Sequence, residues 1–322
     1  MKKHKICKIL LVILAIFLCV AFYELLGICV AYKKQPEVSN TTKKETKNGS
    51  WNECSENTER AVIIEKNPEA LLQRVRLIKN AKKEIILSTF AFQSDESGKL
   101  ILGALHDAAD RGVHIRLLVD GMESWIDMEG NPYFYGLSSH ENVEIKLYNK
   151  ANPLKPWKMM GRMHDKYLIA DGKRYILGGR NTYNYFLGDF PGHKNYDRDV
   201  LVVCDEPEKE NSVNQLLEYF ETIWEQEDSD YFHDNKKLAN RKSVKNAVLE
   251  LQNGYQKYFE ENKERICDTD YTDETFETEK IALVSNPIHT GPKEPVVWYQ
   301  LGELMKNAKE RVKIHTPYII CN

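Results

Sequence analysis

Six positions at fixed spacing carry side chains suited to one kind of chemistry: His164, Lys166, Asp171, Gly178, Gly179 and Asn181, in the pattern H-x-K-x4-D-x6-G-G-x-N. An imidazole, an ammonium, a carboxamide and bare backbone N–H groups are the parts needed to hold a cluster of anionic oxygens beside a nucleophile. Residues 163–170 have strand composition, and alternate strand side chains face the same way, so His164 and Lys166 are expected on one side. Asp171-Gly172 signals a hairpin turn. The returning strand, residues 174–177, then brings Gly178, Gly179 and Asn181 back beside the first, where bare backbone can approach a ligand. A lone histidine on a strand is most often structural. Six specified positions at fixed spacing argue against that reading here.

The elements that must position these residues follow from periodicity. Residues 61–64 read as a short buried strand, and Asn67-Pro68-Glu69 supplies a cap, a proline at the first helical position and an early acid. Leu71, Val75 and Ile78 then recur at helical spacing. Strands are expected at 84–92, 113–119 and 143–148, a helix with the stripe Leu100, Ile101, Ala104, Leu105 and Ala108 ends near Gly112, and a further helix covers 211–226. Such alternation implies an α/β fold, a largely parallel or mixed sheet flanked by helices on both faces.

The pattern resembles the HKD signature of the phospholipase D superfamily, and the whole stretch 60–322 is similar to bacterial cardiolipin synthase-like members. The resemblance implies that His164 is the nucleophile or its acid partner. Lys166 and Asn181 would hold phosphate oxygens with the Gly178 and Gly179 backbone, and Asp171 would be a supporting carboxylate. Many members have Ser where this chain has Gly179. An acid before the next strand would orient a catalytic histidine: Asp199 fits best, with Asp197 as the rival. The implied chemistry is phosphodiester exchange through a phosphohistidine, with no metal or cofactor, and it needs two motifs facing each other across the phosphorus.

Composition bounds the setting. With 45 basic and 48 acidic side chains, the chain lacks the global positive field of a non-specific nucleic-acid binder, so nucleic acid is the less favoured partner. Its seven cysteines show no metal-ligand spacing, and only Cys54 and Cys267 are expected to be placed for pairing. Residues 9–32 are apolar apart from Glu24 and would extend about 36 Å as a helix, enough to cross a bilayer. A single anchor fits this run better than a cleaved signal peptide, because the run is too long. Lys2, Lys3, Lys5 and Lys8 favour a cytoplasmic N-terminus, residues 1–8, with the catalytic region outside, although Lys33, Lys34, Lys43, Lys44 and Lys47 compete. Residues 33–59 read as a flexible tether. The basic stretch Lys150 to Arg162, with Trp157, Met159 and Met160, reads as a solvated loop, contact with anionic headgroups at a membrane surface being the alternative.

Residues 60–226 form one complete half with the motif, and 227–279, rich in acids and amides, read as a linker carrying one or two helices. After it the pattern restarts. Residues 307–316 repeat the periodicity of 80–89, preceded again by a short strand, 281–284, and a striped helix. At this offset of 227 a second histidine-lysine motif would fall near position 390, so 280–322 is the start of a second half, with a further strand at 316–320. The expected function is a membrane-anchored phosphodiesterase or phosphatidyltransferase acting on an anionic glycerophospholipid. The second half would come from a missing C-terminal region or from a homodimer partner. The alternatives are a nuclease or other phosphodiesterase of the superfamily, or an inactive truncated fragment.

Overall fold

The computed structural model of the chain describes residues 2–49, 59–204, 211–233 and 235–314. In order, its elements are α1 (Lys2–Tyr32), α2 (Asn40–Asn48), β1 (Arg60–Ile64), α3 (Asn67–Asn80), β2 (Glu84–Thr89), α4 (Glu96–Asp110), β3 (His114–Asp120), α5 (Gly121–Asp127), α6 (Pro132–Ser138) and β4 (Val143–Tyr148). They continue with β5 (Tyr167–Ala170), β6 (Arg174–Gly178), β7 (Asp199–Val203), α7 (Ser212–Trp224), β8 (Ser229–Tyr231), α8 (Lys242–Glu261), α9 (Lys263–Cys267), β9 (Phe276–Glu277) and α10 (Val296–Asn307).

The strands make one mixed nine-stranded sheet in the order β8-β4-β3-β2-β5-β6-β7-β1-β9. Among the described strands only β2, β3 and β4 run parallel, joined by crossovers through helices. Alternation sorts the side chains. Ile85, Leu87, Leu117, Ile145 and Leu168 enter the core shared with α3, α4, α6 and α8, whereas Ile86, Leu118, Tyr167, Ile169 and Val202 pack with Val213, Leu216, Phe220 and Ile223 of α7. This is the α/β fold with helices on both faces that the periodicity implies.

The structure departs from expectation in several places. Part of the expected tether, 40–48, is a helix capped by Ser39, and its Thr42 and Thr46 are buried. Part of the expected linker is a structural layer: Val244, Ala247, Leu251, Tyr255 and Phe259 of α8 lie on α4, where Gly103 leaves only 2.7 Å between a would-be Cβ and Leu251 O. Asn67 does not cap α3. Its carbonyl Oδ1 accepts from Arg180 Nε at 3.1 Å, and Lys66 precedes the helix without a side-chain cap.

The restart also differs. Residues 281–284 form no strand, and the Leu283 N–H donates to Gln215 Oε1 at 2.8 Å instead of to a neighbouring strand. The helix of the repeat forms as α10 but buries none of its residues, whereas its counterpart α3 buries ten. Residues 308–314 stay unpaired, because among the described residues no strand lies beside them, and an isolated strand is not stable. Residues 315–322, including the strand expected at 316–320, and Cys54 lie outside the described residues.

Candidate active site

The motif begins where β2 ends. Strands β2 and β5 are antiparallel, with Ser88 opposite Tyr167, so residues 164–166 run past the carboxyl end of β2. Carboxyl ends of parallel strands are the usual place for a site in an open α/β sheet. The strand is shorter than 163–170, because pairing stops at Tyr167. Residues 164–166 are instead held at both ends. Buried Asp120, closing β3, accepts from Met163 N at 3.0 Å and from Arg162 Nη1 at 3.0 Å, while Lys166 O accepts from Gly178 N at 3.1 Å. Burial pushes the Asp120 carboxyl up, and Arg162 pulls it back down.

His164 and Lys166 meet over one ring. The His164 imidazole lies 4.7 Å from the Phe90 ring, centroid to centroid, and Lys166 Nζ lies 5.3 Å from the same centroid. Lys166 Nζ also donates to His164 O at 2.6 Å. His164 is exposed, whereas Lys166 is only 5% exposed. Desolvation pulls both side chains below their ordinary values: His164 first by burial and then by the Lys166 charge, and Lys166 to about 8. Asp165 opposes both shifts from between them. At neutral pH the imidazole is therefore mostly the free base and the ammonium mostly charged.

Asp165 points to the opposite side of the chain, where Tyr219 Oη of α7 donates to its Oδ2 at 2.7 Å. Between the two sides opens a cavity of about 380 Å³ lined by Arg162, His164, Asp165, Lys166, Gly178 and Tyr219, and also by residues 283–286, Lys293 and Val297. Lys293 reaches it from outside the motif. Burial lowers the Lys293 ammonium and Asp165 partly restores it.

Not every residue of the pattern enters this cavity. Asp171 sits at the far end of β5, where its carboxylate accepts from three successive backbone N–H groups, Lys82, Lys83 and Glu84, at 2.7–3.1 Å. It is a brace for the turn before β2, not a neighbour of His164, since the strand itself separates them. The hairpin at Asp171-Gly172 forms as expected, both residues having positive φ (56° and 63°). Asn181 is buried, and its Oδ1 accepts from Ala91 N at 3.2 Å, which fixes the backbone next to Phe90.

The structure adds a steric reason for the glycines. A Cβ on Gly178 would fall on the Asp199 carboxylate, and one on Gly179 on the Asp197 carboxylate. Asp199 itself is turned into the protein, paired with Arg74 at 2.9 Å and Arg180 at 3.2 Å, all three side chains at most 5% exposed. It holds β7 to α3. Of the two rivals, Asp197 is the one whose charge reaches Lys166, after that of Asp165. Phe90, Arg162, Tyr219 and Lys293 were not singled out for the site by sequence. Phe90 lay inside an expected strand, and Lys293 lies 127 residues from Lys166 with no pattern linking them.

Parts of the chain are similar to known proteins. Residues 74–224 match the family described as "Cardiolipin synthase, PLD-like domain". A Helicobacter pylori (strain J99) protein described as uncharacterized is 28% identical over 292 residues, 81% of this chain and 54% of that one. Cardiolipin synthase C of Escherichia coli K12 is 29% identical over 171 residues, 49% of this chain and 34% of that protein. Among solved structures, NucT from Helicobacter pylori covers 54% of this chain and 99% of its own, with 18% identity and a TM-score of 0.42. The chain spans about half the length of the first relative and a third of the second. The matched stretch, residues 74–224, holds the whole H-x-K pattern, and there the chain is similar to PLD-like domains of the cardiolipin synthase kind.

Proposed function

We propose that this chain supplies one catalytic half of a membrane-anchored phosphodiesterase or phosphatidyltransferase of the cardiolipin synthase kind, acting on an anionic glycerophospholipid. His164 attacks phosphorus, the bond to the departing alkoxide breaks, and a second histidine on the opposite face donates the proton. Water or an alcohol then attacks the phosphohistidine, returning the proton to that histidine and freeing His164. Lys166 and the Gly178 backbone face the equatorial oxygens, with Lys293 as a further cation beside them. The second histidine comes from another copy or from a further length of chain.

The observation that carries this reading is the pairing of a solvent-reachable, neutral imidazole with a desolvated ammonium on one cavity wall. Two features support a docked second half. Val297 of α10 lines the rim, and the same helix leaves Trp298, Leu301 and Leu304 uncovered. Support for the anchor is α1, whose segment Lys5–Tyr32 is long and apolar enough to cross a bilayer.

The test is turnover of phosphatidylglycerol by the purified full chain in mixed micelles, following release of glycerol and formation of cardiolipin, with His164→Ala as control. Glycerol release or cardiolipin formation that disappears in the variant is the expected result. Cleavage of DNA without lipid turnover would make the chain a nuclease, and turnover unchanged by His164→Ala would overturn the role of the imidazole.

A further inference from the structure

Five large apolar side chains project from one end of the folded body: Trp125 (70% exposed) and Ile126 (67%) from α5, and Leu154 (76%), Trp157 (46%) and Met160 (57%) from the loop after β4. Trp125, Ala151 and Pro153 line one cavity, so the two segments are contiguous. This loop is fastened to the apolar helix. Tyr23 Oη donates to Leu154 O at 3.1 Å, and a Cβ on Gly27 would fall on Pro156. Tyr23 and Gly27 are four residues apart and share one face of α1. Further along, Tyr32 Oη donates to Thr290 O at 3.0 Å.

From Tyr23 onward one face of α1 is therefore held by the protein, while Leu25, Leu26 and Val30 stay exposed. Ile6 to Phe22 remain for hydrocarbon, a length of about 26 Å, at the lower end of what spans a bilayer. The bilayer surface then crosses α1 at Tyr23 and Glu24. That level suits both residues: the tyrosine sits with the headgroups, and the one carboxylate of the run stays out of the hydrocarbon.

We propose that Trp125, Ile126, Leu154, Trp157 and Met160 form a ledge that enters the interfacial layer of the leaflet from which α1 emerges, holding the cavity around His164 at headgroup height. The inference rests on α1 being a membrane anchor. Its occupant is a phospholipid bilayer because the ledge is continuous, through Tyr23 and Gly27, with the apolar stretch of α1 that has no protein cover. Charge agrees on one side: Lys150, Lys155, Lys158 and Arg162 line the adjoining cavity, facing Glu227, Asp228 and Asp230 across it. Of these, Lys158 is paired with Asp228 at 2.7 Å. Arg162 lines both this cavity and the one holding His164, so the charged cavity beside the ledge adjoins the catalytic cleft.

The experiment uses the full chain reconstituted into vesicles of phosphatidylcholine and phosphatidylglycerol whose acyl chains carry a nitroxide quencher, placed either near the headgroup or near the chain end. Tryptophan emission is compared between the native chain and Trp125→Phe/Trp157→Phe, conservative changes at exposed positions. The expected result is strong quenching by the shallow probe, weak quenching by the deep one, and loss of most of the shallow quenching in the double variant. An unchanged quenched fraction in the variant overturns the ledge. Flotation of the vesicles after alkaline extraction reads the anchor separately: a chain that does not float overturns anchor and ledge together, and one that floats without the quenching difference overturns the ledge alone.

Discussion

Tyr219 Oη donates to Asp165 Oδ2 at 2.7 Å, fixing the carboxylate that lies between His164 and Lys166 in the chain. That charge raises the proton affinity of both neighbours against their burial. Asp165→Asn removes it, so both side chains should lose their protons at lower pH. In the proposed role Lys166, already down at about 8, would hold phosphate only while protonated, so its contribution would be present below that pH and fade above it. In the native chain KM should therefore rise above about pH 8. In Asp165→Asn the rise should begin at lower pH, and the acid limb set by His164 should move the same way. A pH profile of kcat/KM for both chains checks this, and an unmoved alkaline limb would count against Lys166 as the phosphate cation.

Removing the imidazole should separate chemistry from folding. His164 is exposed, so His164→Ala should leave the thermal midpoint within a degree or two while lowering turnover by at least about 10³-fold, the scale of losing a nucleophile or acid-base group. Circular dichroism melting alongside single-turnover kinetics distinguishes the two effects.

Phe90 is the shelf on which the imidazole and ammonium both rest. Phe90→Leu keeps an apolar side chain but removes the ring face, worth about 1 kcal/mol of stacking and cation contact. The expected outcome is a fall in kcat of roughly fivefold, the rate equivalent of about 1 kcal/mol. Stability to urea should change little, and a drop in stability without a drop in kcat would make Phe90 an ordinary packing residue.

Asp199 calls for the opposite outcome. Its carboxylate is fully enclosed between Arg74 and Arg180, so Arg74→Met leaves a buried charge with one partner fewer. The expected cost is about 3 kcal/mol or more, read as a shifted urea midpoint. Under the proposed function, soluble protein recovered from the variant should turn over lipid as the native chain does, per folded molecule.

Regular structure was legible wherever a local rule was strong. Asp171-Gly172 announced the hairpin because few residues accept the positive φ that both adopt. The stripe of α4 announced a buried helix through its 3.6-residue period. What failed depended on distant partners. Asn67 has every mark of a helix cap, yet the enclosed Arg180 guanidinium draws its oxygen away. Residues 281–284 have strand composition, but a strand is made by its neighbour. The site was half legible: the spacing of His164 and Lys166 forecasts their approach, whereas Asp171, four strand residues further on, cannot reach them. Phe90, Tyr219 and Lys293 come from three other parts of the chain, and only the tertiary fold brings them to the motif.

The contact between the Gly179 backbone and the Asp197 carboxylate carries a lesson about substitution. A serine grafted at position 179 would force that carboxylate off the Arg198 N–H, from which it accepts at 2.7 Å. The two sites are thus not independent choices: in a combinatorial library a hydroxyl at 179 should survive selection chiefly alongside a shortened side chain at 197. Epistasis of this kind would surface only when the pair is varied jointly, and a scan of single changes would misjudge both positions.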